Sequence, residues 1–153
     1  MRGFSAGGRT AATAATANVA GAALWNASAV KAIFVTQISW AKTVATADNL
    51  GIVRISTRGT AGSTVTPVQQ NDNDYQAAPP SGALLDLASY SVQPTLISST
   101  AYMFRWNMPA SIGSGFILPL PDVITIPPGT GLCLVTPPAV ILQPGDVSFF
   151  WRE

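Results

Sequence analysis

The sequence predicts an all-β protein, a jelly-roll-like antiparallel β-sandwich carrying an extended N-terminal arm. Three observations predict it. Short runs of strand-forming residues recur along the chain, turn-forming clusters separate them, and 12 prolines and 13 glycines leave no window for a long helix. A chain of 153 residues suits one domain with a real core, and an eight-stranded roll fits that length.

Residues 1–21, MRGFSAGGRTAATAATANVAG, stand apart from the rest: small side chains, a short AAT echo, Phe4 as the single aromatic, and two arginines, Arg2 and Arg9. Such a segment buries too little apolar surface to order by itself, since fixing each residue costs ~1–2 kcal/mol. It is expected to be an extended arm, held by the domain's own sheet or by a neighbouring subunit. Residues 22–153 are expected to form the single sandwich domain.

Along that domain, 23–26 reads as a first short strand. The stretch 30–41, VKAIFVTQISWA, sets Ala32, Phe34, Thr36, Ile38 and Trp40 on one parity against Ile33, Val35, Gln37 and Ser39 on the other, with the first the more apolar. In 50–57, LGIVRIST, Ile52, Arg54 and Ser56 oppose Val53, Ile55 and Thr57. Segment 83–88 fits a strand or one helical turn. Further strands are expected at 91–97, 101–107, 115–118, 123–126, 132–136 and 147–151. Asp48-Asn49, 58–62, 79–82, Pro128-Gly129 and Pro144-Gly145 supply the breaks. In DVITIPPGTGLCLVTP, residues 122–137, the Gly-Thr-Gly is followed by another strand and not by a helix, so a phosphate cradle lacks its helix N-terminus. Pro128-Gly129 instead suits the centre of a type II turn.

Charged residues make up 10% of the chain, against about 25% in an ordinary soluble domain, and the net charge is +1. So neutral a surface favours association, and much of it is expected to be covered in an assembly. The chain has no histidine and a single cysteine, Cys133. That removes Ser-His and Cys-His catalysis, the commonest zinc ligands and any internal disulfide. Cys133 sits in an apolar run and reads as a core residue. The seven acids are scattered, mostly beside turn residues, so no carboxylate pair stands out. The row Asn71, Asp72, Asn73 and Asp74 offers calcium-type oxygens, yet lacks the glycine and closing glutamate of a twelve-residue hand loop, and Asx turns explain it equally well.

Eight basic residues spread along the chain make no patch for nucleic acid. The charge-free interval 123–145 contains five prolines and cannot be a spanning helix, so no membrane contact is expected. Arg2, Phe4 and Arg9 are the arm residues expected to bind a partner. Among the aromatics, Trp40 and Trp106 read as core, whereas Trp151, beside Arg152 near the chain end, reads as an interface anchor.

The segments GAALWNASAVKAIFVTQISWAKT, DNLGIVRISTRGT, AAPPSGALLDL, FRWNMPASIGSGF, IPPGTGLCLVTP and GDVSFFWRE, covering most of residues 21–153, resemble small virion proteins of tailed bacteriophages. The likeness is closest to jelly-roll-like proteins that decorate or cement the head. The resemblance implies a dimer or trimer on the outer surface of the capsid that bridges subunits of the major capsid protein and reinforces the shell. It implies no catalytic residue and no cofactor. Another virion role, in the tail, connector or fibre base, and a carbohydrate-binding module using exposed Trp or Tyr, are the alternatives. On this reading, deleting residues 1–20 leaves a folded domain that attaches more weakly.

Overall fold

The computed structural model describes residues 2–13, 18–69, 81–87, 89–137 and 142–153. These residues form antiparallel strands and no helix: β1 (Gly3–Arg9), β2 (Ala20–Asn26), β3 (Ile33–Lys42), β4 (Asp48–Ile55), β5 (Ser63–Val65), β6 (Val68–Gln69), β7 (Ala83–Leu87), β8 (Phe104–Met108), β9 (Gly115–Ile126), β10 (Gly131–Val135) and β11 (Gly145–Arg152). One sheet, here sheet A, runs β6-β1-β11-β3-β9; the other, sheet B, runs β5-β7-β2-β10-β4-β8. The pairs nest: β1 with β11, β2 with β10, β3 with β9, and β4 with β8. The chain is thus one long hairpin rolled up so that successive pairs fall in alternate sheets, the arrangement of a jelly roll. Strands β5 to β7 belong to an excursion between β4 and β8, which widens sheet B beside β2 and lays β6 along β1.

Of the two holders expected for the N-terminal segment, the structure shows the domain's own sheet. Residues 3–9 are strand β1, paired along their whole length with β11 and bordered by β6. Phe4 is buried and stacks on the buried Trp151 with ring centroids 6.2 Å apart. The two chain ends are clasped by a reciprocal pair of backbone bonds, Arg2 N–H to the Glu153 carbonyl at 2.9 Å and Glu153 N–H to the Arg2 carbonyl at 3.0 Å. The ordering cost of a small-residue segment is offset here by ladder hydrogen bonds and by one aromatic anchor, so the sandwich begins at Gly3 and not at residue 22.

Other expectations shift for local reasons. The two runs at 115–118 and 123–126 are one strand, β9, whose pairing with β3 slips between Pro119 and Ile124. On β3 the matching irregularity lies at Thr36, and it swaps the inward parity from Ile33 and Val35 to Ile38 and Trp40. The more apolar parity read from the sequence therefore holds only in the second half of that strand. The ambiguous 83–88 is strand β7. Segment 91–97 is not a strand: it makes single bridges, from Leu96 to Ile55 of β4 and from Val92 to Thr60 in the β4–β5 connection. Gly129 has φ +68° and the Thr130 N–H reaches the Pro127 carbonyl at 3.3 Å, the type II turn expected around Pro128-Gly129.

Between the sheets lies the main core, with Trp40, Phe149, Trp151, Leu24, Leu50, Ile52, Leu85 and Leu132 among its buried members. Its two ends are closed by polar residues whose bonds join loops far apart in sequence. At one end the buried Asn26 donates to the carbonyls of Lys31 at 2.8 Å and Ile126 at 3.0 Å, and accepts from the Ser28 N–H at 3.0 Å. At the other, the buried Lys42 ammonium donates to the Pro109 carbonyl at 2.6 Å and to that of Thr46. Nearby, Asp48 is buried; one carboxylate oxygen accepts the Gln143 N–H at 2.9 Å and the other has no partner among the described residues. Burial pushes the Asp48 carboxyl above its usual range, only partly offset by the N–H groups of Gln143 and Asn49 and by the charge of Lys42.

Two outcomes follow for stability. Phe4→Ala should cost about 3–5 kcal/mol in urea unfolding, and removing residues 1–9 should abolish the cooperative transition, contrary to a detachable arm. Because folded Asp48 holds its proton more tightly than unfolded Asp48, its contribution is complete below the unfolded value of ~3.9 and is lost as pH rises through the higher folded value. Asp48→Asn should remove that loss, leaving a variant at least as stable as the parent at neutral pH and with a flatter dependence on pH between that value and neutrality, measured by urea midpoints across the range.

Candidate interaction surface

The two sheets treat their outer faces differently. Sheet B is covered by its own chain: residues 89–103 cross its outside and bury a second apolar cluster of Ala20, Ala23, Val53, Ile55, Cys133 and Val135 beneath Tyr90, Leu96 and Tyr102. Its central strands are therefore buried on both faces, which is why β10 reads as the unbroken apolar run GLCLV. Gly51 is required beneath this cover, because a Cβ there would lie 2.4 Å from the Tyr102 ring. The Tyr102 hydroxyl donates to the Asn18 side chain at 2.9 Å, and main-chain bonds from Ser56 to Thr95, Thr60 to Val92 and Ile97 to Arg54 fasten the crossing segment. Arg58 grips the fully buried Asp86 with two bonds of 2.7 Å, joined by Thr64 at 2.6 Å, and so holds the β4–β5 connection against β7.

Sheet A has no such cover among the described residues. In register across β1, β11, β3 and β9, its outward side chains fall into four rows: Gly3, Arg152, Phe34 and Thr125; Ser5, Phe150, Gln37 and Pro119; Gly7, Ser148, Ser39 and Ile117; Arg9, Asp146, Ala41 and Gly115. The two middle rows carry no charge. Half of their residues are serine or glycine, and the apolar ones stand out from them: Ile117 is 72% exposed, Phe150 is half-buried, and Val68 of β6 continues the second row at 58% exposure. Charge is confined to the outermost rows. There Arg9 makes a bidentate pair with Asp146 at 2.8 and 3.0 Å, and its guanidinium holds the Asp146 carboxyl below the usual range. Arg152 is exposed at the opposite end of the same strand.

The residues singled out from the sequence are thereby divided. Arg9 and Arg152 stand on this face. Phe4 and Trp151 do not: strand parity turns both into the core, and the Trp151 indole N–H is occupied by Ser81 and Glu153 at 3.3 Å each. Trp151 is thus an internal anchor and not an interface residue, and Phe4 is not available to a partner. Arg2 is held by its backbone pairing with Glu153, with one guanidinium nitrogen buried and unpartnered among the described residues. Trp40 is core as expected; Trp106 is half-buried and stacks on Phe116 with centroids 4.0 Å apart and planes 8° from parallel. The row from Asn71 to Asp74 lies outside the described residues. The members of the face that sequence reasoning passed over, Ser5, Ser148, Ser39 and Ile117, are legible only in the alternation of strands such as GDVSFFWR, where every second residue is exposed or half-buried.

The described residues hold no group of three or more acids, cysteines and histidines placed to share a metal ion. A cleft of about 170 Å³ opens beside Ala12, Val19, Tyr90 and Gln93, but its lining is uncharged and the Gln93 oxygen already accepts the Ala20 N–H at 2.9 Å. No known protein family, characterised protein or solved structure matches the chain.

Burial pushes the Cys133 thiol far up, with the charge of Asp86 adding to the effect. The native protein should therefore resist iodoacetamide at mildly alkaline pH and react fully once unfolded in urea, as read by mass spectrometry. Rapid labelling of the folded chain would mean that the 89–103 cover opens readily.

Proposed function

We propose that this chain is a structural virion protein that decorates and cements a bacteriophage head, binding the major capsid protein and further copies of itself on the outer surface of the shell. The observation that carries this reading is the contrast between the faces: sheet B is sealed by its own chain, while sheet A presents a face whose two middle rows are uncharged and carry isolated apolar side chains among small ones. Such a face approaches another protein closely and loses little hydration energy in doing so, because its middle rows have no ion to strip of water. A single contact of this size is weak; repetition over a shell makes it sufficient. The segment resemblance to head-decoration proteins points the same way.

On this reading the protein works by adhesion, without catalysis or cofactor, and without contact to nucleic acid or membrane. A carbohydrate-binding module ranks lower, since Trp106, the half-exposed candidate platform, already gives a ring face to Phe116. A tail, connector or fibre-base position would use the same face and differs in copy number.

Heads of the encoding virus prepared without this protein should bind the purified chain saturably in co-sedimentation, in many copies per head, and then withstand higher temperature before releasing DNA. Ile117→Asp, which places a charge in the middle of the face, should weaken that binding by tenfold or more while leaving the circular dichroism unchanged. Heads that ignore the parent protein, or that bind the variant equally well, would refute the proposal.

A further inference from the structure

Sheet A's outer face is self-complementary, and we infer that its occupant is a second copy of this chain, packed face to face about a two-fold axis that crosses the strands between the second and third rows. This builds on the reading of that face as an assembly surface. Such an axis lays β11 over β11 and sets the first row of one copy against the fourth row of the other. Arg152 then faces Asp146 of the other copy, twice by symmetry. Asp146 already carries Arg9 at 2.8 Å, so each end of the interface becomes an Arg-Asp-Arg triad, and Arg152, which has no ion-pair partner among the described residues, gains one.

The middle rows agree with the same operator. The second row of one copy meets the third of the other, so the Phe150 ring lies over Ser148, Gln37 over Ser39, Ser5 over Gly7, and Pro119 beside Ile117. On the two central strands, β11 and β3, large side chains fall on small ones, as the interdigitation of stacked sheets requires. An in-plane axis running along β11 itself would put Arg152 on Arg152 and the Phe150 ring on its symmetry mate. Charge and shape favour the axis that crosses the strands over that one.

Size sets the strength. Four strands ~4.8 Å apart and seven residues at ~3.3 Å each span roughly 450 Å² of projected face per copy, toward the low end of specific interfaces. The pairing is accordingly reversible and depends on concentration, and it competes with docking of the same face to the major capsid protein.

The test uses the purified chain alone, so a failure of self-pairing and a failure of capsid binding are told apart. Sedimentation velocity of the parent across a concentration series should pass from monomer to dimer. Arg152→Glu and Asp146→Lys, both at exposed positions, should each shift the chain to monomer by like-charge opposition, weakening association by roughly tenfold or more. Mixed in equal amounts, the two variants should dimerise again, because the carboxylate introduced in one chain then opposes the ammonium introduced in the other, while the remaining Arg-Asp pair is native. A parent that stays monomeric at every concentration, variants that dimerise as the parent does, or a mixture that stays monomeric would each overturn the inference.

Discussion

The fold depends on the pairing of its two ends. Strand β1 lies against β11 along its full length, Phe4 stacks on Trp151, and Arg2 and Glu153 exchange backbone hydrogen bonds. In a rolled hairpin this outermost pair is the last to be joined in sequence terms, yet it supplies an inner strand of sheet A and the wall on which the excursion strand β6 rests. Remove it and β11 becomes a long exposed edge with a tryptophan at its end. Every principal pair in the roll joins segments distant along the chain, so loop closure must be met before the contacts reward it, and slow folding is the expected consequence.

The same topology creates the difference between the faces. The long connection from β7 to β8 has to travel from one side of sheet B to its other edge, and it does so over the outside, carrying Tyr90, Leu96 and Tyr102 onto an apolar surface. Sheet A receives no such cover from the described residues, and small or polar outward side chains separate its apolar ones, such as Ile117, Phe150 and Val68. An outer face that needed covering is covered; the one left open tolerates water and also tolerates a neighbour. This is the physical basis for treating sheet A as the working surface.

Polar side chains in the interior are few and do specific tasks. Asn26 and Lys42 cap opposite ends of the core by bonding main-chain groups of separate loops, and Asp86 fixes the excursion through Arg58. Asp48 departs from this, with one oxygen unsatisfied among the described residues, as are the Trp40 indole nitrogen and one guanidinium nitrogen of Arg2, and with its carboxyl shifted by burial. A chain this poor in charge has placed several of its ions inside or in pairs, which lowers the effective charge of its outside further.

Strand alternation, Pro-Gly punctuation and the absence of any helical period belong to the sequence, because backbone sterics and side-chain spacing act over a few residues. They determined the all-β class, the roll, the turn at Pro128-Gly129 and the core placement of Trp40 and Cys133. The face of each strand was less legible: the slip at Thr36 reverses the parity of β3, and a bulge joins two expected strands into β9. Residues 1–9 were least legible of all, since small side chains look like a free arm until β11 is set beside them. Which side of Phe4, Trp151 and Arg152 faces water depends on register, and register is a property of paired strands; only the tertiary structure decided it.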